Sequence, residues 1–243
     1  MNVCKLSIRA LGLAGAAAIA NIAIVPAAQA DECLIDTNNN GTATDGVDGV
    51  LGANGEDSAS QLACGQNATA TGPQSTAIGA ETDATNTRSL AIGYGAQSTG
   101  SNSVALGDAD ATQALTVAIG GGAQATSNNA TAVGTSARAT NQFATALGDN
   151  SLASGDRSTA FGRGSTASGQ YSIALGTDTN DADGQGAEAT GANTIAIGAE
   201  AKALADNALA IGSGARALTA NVVALGTNAV SGGNRTTALG TNA

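Results

Sequence analysis

Apolar and polar positions alternate in short bursts along most of this chain, and each burst ends in the same four-residue figure, x-Ala-aliphatic-Gly. The closing glycine falls at Gly79, Gly93, Gly107, Gly120, Gly134, Gly148, Gly162, Gly176, Gly198, Gly212, Gly226 and Gly240, at intervals of 14, 14, 13, 14, 14, 14, 14, 22, 14, 14 and 14 residues. Leu62-Ala63-Cys64-Gly65 stands fourteen residues before Gly79 and adds a thirteenth, variant copy. A period this constant marks a solenoid whose repeats stack on one another.

Aligned on the glycine, each repeat contains two alternating stretches, and a period of two is the mark of a strand with distinct faces. In the stretch before the glycine, the residue two positions back is alanine in every copy, from Ala77 and Ala91 to Ala224 and Ala238, flanked by larger residues such as Leu90 and Ile92 or Ile195 and Ile197. After the glycine, small residues take the third and fifth places (Ala123 and Ala125, Ala137 and Ala139, Ala201 and Ala203), with Gln124, Arg138 or Lys202 between them. A fourteen-residue perimeter leaves room for two parallel strands of about five residues each and two tight turns. The glycine closes one turn; Gly72, Asn86, Gly100, Asn141, Gly155, Gly169 and Gly191 mark the other, as residue types suited to positive φ.

So slim a coil cannot enclose rows of isoleucine and leucine at protein packing density. Alanine therefore faces inward, and the aliphatics face out. Those outward residues are Ile78, Leu90, Ile92, Val104, Leu106, Val117, Ile119, Val133, Leu147, Phe161, Ile173, Leu175, Ile195, Ile197, Leu209, Ile211, Val223, Leu225 and Leu239. Stacked at about 4.8 Å per coil they form a strip nearly 60 Å long, larger than the surface of a soluble monomer ordinarily tolerates. Burial between copies of the chain is expected, closed rotational symmetry being the usual solution. The competing cover, a segment of the same chain, has only residues 31–60 to draw on. Threonine replaces the aliphatic at Thr76, Thr131, Thr145, Thr159 and Thr237, so the strip is less apolar there.

Asn102-Ser103-Val104-Ala105-Leu106-Gly107 and Ser75-Thr76-Ala77-Ile78-Gly79 resemble the repeated motif of the YadA-like head of trimeric autotransporter adhesins, over about residues 61–243. The resemblance implies an all-β, left-handed parallel β-roll, a homotrimer, and display beyond the bacterial outer membrane. It also implies a non-catalytic part in virulence, in which the head attaches to host matrix, cells or surfaces. The coil ending at Gly120 is one residue short, and the one ending at Gly198 carries eight extra between Gly176 and Ala187, where a loop can leave a turn without disturbing the ladder. No heptad stalk or C-terminal membrane strands follow before Ala243, so the expectation is either a head whose membrane anchor lies outside this sequence or a released, secreted form.

Residues 1–30 read as a secretory signal: Lys5 and Arg9 form a basic end, an apolar run extends from about Ala10 to Ile24, and Ala28-Gln29-Ala30 supplies a small-residue cleavage site. An uncleaved membrane span is the alternative, but Asn21 and Pro26 interrupt the run. The chain has 9 basic and 19 acidic residues; the signal takes two bases with it, which leaves 7 against 19, a net charge of −12. That acidity argues against nucleic acid as partner. Residues 31–60 are expected to cap the array, with Cys33 and Cys64 paired in an export compartment; two free thiols are the alternative.

Catalytic chemistry finds little here. The chain has no histidine, which excludes Ser-His-Asp and Cys-His arrangements and imidazole zinc sites. Gly120-Gly121-Gly122 lacks the following Lys-Ser/Thr of a phosphate loop, and no cofactor is expected. Two acidic stretches are calcium candidates through oxygen ligands: Asp36, Asn38 and Asn40 before Gly41, and Asp178, Asp181 and Asp183 in the insertion. Local Asx turns explain both equally. A run of hydroxyls six residues after successive glycines, Thr71, Thr85, Thr99, Thr126, Thr140, Ser154, Ser168 and Thr190, with Thr112 in the short coil, fits cross-strand contacts. It also raises ice binding as a runner-up function, beside a secreted matrix or surface-layer role.

Overall fold

The computed structural model describes residues 61–179 and 184–243. These residues form a parallel β-solenoid, with a three-residue strand before each repeat glycine and a two-residue strand after it. The first coil carries β1 (Leu62–Cys64) and β2 (Thr69–Ala70), and the array runs on to β24 (Val230–Ser231) and β25 (Thr237–Leu239). Odd-numbered strands make one 13-stranded sheet and even-numbered strands one 12-stranded sheet, both in sequence order. The strands are shorter than the five residues expected, because each turn takes four or five residues of the coil.

Register is kept coil after coil. Ile173, Ala174 and Leu175 pair with Ile195, Ala196 and Ile197 across the inserted loop, so all extra residues are expelled at the turn after Gly176. The short coil pairs Gln97 with Asp110 and Val104 with Val117. Its missing residue is absorbed in the turn after Gly107, whose φ is 88° where its counterparts, apart from Gly176 at the insertion, lie between 123° and 132°.

The interior is alanine. Ala91, Ala118, Ala174 and Ala196 on the long-strand sheet, and Ala125, Ala139, Ala189 and Ala203 opposite them, are fully buried. Inward hydroxyls complete the lining and return their protons to the turn: Thr82 donates to the Gly79 carbonyl at 2.9 Å, Thr194 to Gly191 at 2.7 Å. Gln61 closes the first coil, its amide donating to the Thr71 carbonyl at 3.0 Å.

The turn opposite the repeat glycine is built differently from the expectation. Gly72, Asn86, Gly100, Asn141, Gly155, Gly169 and Gly191 do not have positive φ; that conformation falls two residues further on, at Gln74 (61°), Arg88 (54°), Asn102 (56°) and their equivalents. Gly72 and its kind answer a contact instead: a Cβ on Gly72 would stand 2.0 Å from the Asn86 carbonyl oxygen, and one on Gly169 1.8 Å from that of Gly191. Asn86 and Asn141 use the same place for side-chain bonds to the backbone, accepting from the next backbone N–H (3.1 and 2.9 Å) and donating to a carbonyl one coil up, each at 3.2 Å.

Candidate interaction surface

A coil too narrow for anything but small side chains leaves all of its larger chemistry on the outside. On the long-strand sheet the outward residues form two columns. The one next to the repeat glycine runs Ile78, Ile92, Leu106, Ile119, Val133, Leu147, Phe161, Leu175, Ile197, Ile211, Leu225 and Leu239; the other mixes Leu90, Val104, Val117, Ile173, Ile195, Leu209 and Val223 with the threonines. The alternation is sharp: Ala174 is 0% exposed between Ile173 at 40% and Leu175 at 39%, and Phe161 stands 51% exposed. Every residue expected on the outward strip lies on it. In a single chain this strip is partly open to water, with Ile92, Phe161, Ile173, Leu175, Leu225 and Leu239 exposed and the rest half-buried.

Cys64 heads the column next to the repeat glycine, in the place Ile78 takes one coil later. It is disulfide-bonded. Cys33 lies outside the described residues, as do the calcium candidates Asp36, Asn38, Asn40, Asp181 and Asp183.

The short-strand sheet presents a different outer face. Polar and charged residues predominate, as at Asp83, Gln97, Asp110, Gln124, Arg138, Glu188, Lys202 and Arg216, with Leu152 and Val230 the apolar exceptions. Lys202 pairs with Glu188 one coil below at 3.3 Å, and Gln124 donates to Asp110 at 3.4 Å. Hydroxyls of the threonine run are used within the sheet: Thr71 donates to the Thr85 carbonyl at 3.4 Å and Thr190 to that of Leu204 at 3.1 Å.

Asp178 is buried at the root of the inserted loop, where its carboxylate accepts a hydrogen bond from the Arg163 guanidinium. That bond, and the attraction of the carboxylate charge, raise the pKa of Arg163 above its ordinary value. Thr179 then donates through both its N–H (2.8 Å) and its hydroxyl (3.1 Å) to Glu200 in the coil above. The opposite root is held by Gly186, whose N–H reaches the Gly164 carbonyl at 3.0 Å; a Cβ there would meet Arg163 O at 2.6 Å. No group of three or more His, Cys, Asp or Glu placed to hold a metal ion exists among the described residues.

One feature escaped the sequence reading. Phe143, Arg157 and Tyr171 occupy the same turn position in three successive coils. The Arg157 guanidinium sits 5.1 Å from the Phe143 ring centre and 5.5 Å from that of Tyr171, and donates to Asp156 at 2.8 Å and to the Tyr171 hydroxyl at 3.2 Å. Each lies nine residues after its glycine, so aligning the coils on that turn reveals the ladder.

No curated protein matches the chain in a sequence comparison. The YadA head domain repeat model does, over residues 62–82, 84–109, 111–137, 125–151, 139–165, 153–179, 184–215 and 223–243. With matches across most of the array, and a parallel β-solenoid of alanine-lined coils beneath them, the chain belongs to the YadA head domain repeat family, a family of adhesin-type heads.

Proposed function

We propose that this protein is a non-catalytic adhesin head that works as a homotrimer on the bacterial surface, attaching to host matrix, other cells or surfaces. Residues 1–30 direct its export and are removed, residues 31–60 cap the first coil, and a Cys33–Cys64 disulfide holds that cap in place. The single observation that carries the assembly is the outward strip on the long-strand sheet, one of whose columns is apolar from Ile78 to Leu239. At about 25 cal/mol per Å² of apolar surface removed from water, closure of three such strips on a common axis is strongly favoured. Absence of histidine removes the commonest general base, and a flat-sided solenoid offers its ligands faces rather than a desolvated pocket. Binding energy would be spread over repeated outward positions, which suits a polymeric or surface ligand met by many copies at once.

Sedimentation equilibrium of the exported chain at micromolar concentration, followed by binding to immobilised matrix proteins and to intact host cells, tests both halves. The expected result is a species three times the chain mass that binds saturably. A well-behaved single chain would remove the assembly and the adhesin reading built on it.

A further inference from the structure

A cap that only plugged the solenoid would meet the interior of the first coil. Cys64 does not point there. In β1, Ala63 is the inward, buried residue, and Cys64 stands in register with Ile78 on the outward face of the long-strand sheet. Side chains of a strand alternate in direction, so the Cys64 sulfur leaves the coil on the side of the apolar strip. Cys64 is disulfide-bonded, and a disulfide holds its two Cα atoms roughly 4–7 Å apart. The backbone that carries its partner has to pass on the strip side of β1.

The two ends of the array differ in the same sense. Neither has a further described coil to cover it. At the far end Leu239 is 71% exposed, and the inner alanine Ala238 is only partly buried. At the near end Gln61 is 3% exposed, with its amide on the Thr71 carbonyl, and Ala63 and Ala68 inside it are buried. Gln61 shields the alanines, and no described residue precedes Gln61 to shield it in turn.

The chain before Gln61 holds two kinds of material. Leu34 and Ile35 follow directly on Cys33, whereas 36–60 is mostly Asn, Asp, Gly and Thr, with Val47, Val50 and Leu51 as its larger aliphatics. Resting on the Cys33–Cys64 pairing proposed above, we infer that the segment before Gln61 crosses the end of the first coil and is brought onto the strip side at Cys33, where the bridge seats Leu34 and Ile35 against Leu62 and Ile78. An apolar pair beside the bridge meets apolar residues there; the outer face of the short-strand sheet offers Thr69 and Asp83 instead. The bridge is then a clasp that commits the first stretch of the strip to the chain's own N-terminal segment, and the strip left for other partners starts above it.

Moving the thiol tests the placement in the full chain, exported to an oxidising compartment. Cys64→Ser is combined either with Ile78→Cys, on the strip, or with Thr69→Cys, on the other face of the coil that holds Cys64; both places are outward. Position 69 is nearer to Cys33 along the chain than position 78, so a wandering segment would link Thr69→Cys at least as readily, because longer loops cost more to close. A seated segment should link Cys33 to Ile78→Cys about tenfold more fully than to Thr69→Cys, since a disulfide cannot reach round the coil. Peptide mass spectrometry of the single-chain band from a non-reducing gel reads the two yields. Leu62→Cys, also on the strip, replaces Ile78→Cys if that variant lacks the circular dichroism of the parent. Adding Leu34→Asp and Ile35→Asp should abolish the preference, and a preference that survives them overturns the apolar seating. Equal linkage on both faces, or preference for Thr69→Cys, overturns the placement while the Cys33–Cys64 bridge of the parent stands. Linkage between chains at Ile78→Cys overturns it in favour of a second copy on that stretch. Two free thiols at Cys33 and Cys64 in the parent overturn the pairing itself, and the clasp with it.

Discussion

The two sheets of this solenoid share one inner face and have unlike outer faces. Inward, both present buried alanine at nearly every coil, Ala118 and Ala174 on the long-strand side and Ala125 and Ala139 on the other, with Ser98 and Ser231 replacing it in two coils of the latter. Outward, one presents the half-exposed aliphatics of the strip and the other a mixed polar row in which Lys202 meets Glu188. A common interior with divergent exteriors separates two demands on the sequence. The interior specifies that the chain winds, and the exteriors specify what each side meets.

If the interior serves both sheets alike, enlarging it should be equally damaging on either. Ala174→Leu and Ala167→Leu each add three heavy atoms at a position where the alanine is fully buried. Overpacking of this kind costs about 1–3 kcal/mol and often more where nothing can yield, so both variants should lose cooperative thermal unfolding to the same extent. A large difference between the two would break the equivalence of the inner faces.

The outer faces should then separate cleanly. Ile197→Asp places a charge in the aliphatic column and is expected to abolish assembly in sedimentation, with the chain still folded by circular dichroism. Gln124→Asp, at the corresponding outward place of the other sheet, should leave assembly unchanged. Loss of assembly by both would show that the copies meet over the polar sheet as well.

Legibility followed the same division. The coil length, the inward alanines, the outward strip and the exit of the insertion between Gly176 and Ala187 were all readable, because side-chain direction in a strand follows period-two alternation and nothing else. Turns have no such rule. Gly72 and Gly169 looked like positive-φ glycines and are close-approach glycines, since the constraint comes from a carbonyl one coil away. Arg163 and Asp178 are fifteen residues apart, and only the stacking of coils brings them together. Phe143, Arg157 and Tyr171 left a signal in the sequence, a column nine residues past the glycine, visible once the turns are aligned as carefully as the strands.

Cys64 tests how the strip begins. It stands in the aliphatic column and is disulfide-bonded; with Cys33 as partner, the closed loop contributes about 3–4 kcal/mol in the chain-entropy model. Reduction should therefore release protection from hydrogen exchange in the first coils, around Leu62 to Ile78, while coils beyond Gly134 keep theirs. Uniform loss along the array would mean that the bond stabilises the whole stack and not its first turns.

The smallest effect is also the finest comparison, because one substitution can be made on both outer faces. Thr190 uses its hydroxyl on the Leu204 carbonyl at 3.1 Å, so Thr190→Val removes an exposed hydrogen bond and should lower the stability of the chain by about 0.5 kcal/mol without touching assembly. Thr145 lies on the strip beside the column of Val133 and Leu147, between Thr131 and Thr159 in the mixed column. Thr145→Val there exchanges a hydroxyl for a methyl on the surface that the proposed assembly buries, and should tighten assembly by about 1 kcal/mol per copy, read as a roughly fivefold gain per copy in concentration-dependent sedimentation. Opposite signs from one pair of isosteric changes would place the difference between the two sheets in their outer chemistry alone. If Thr145→Val instead weakens assembly, the threonines of the strip hold water or hydrogen bonds between copies, and that part of the axis is polar by design.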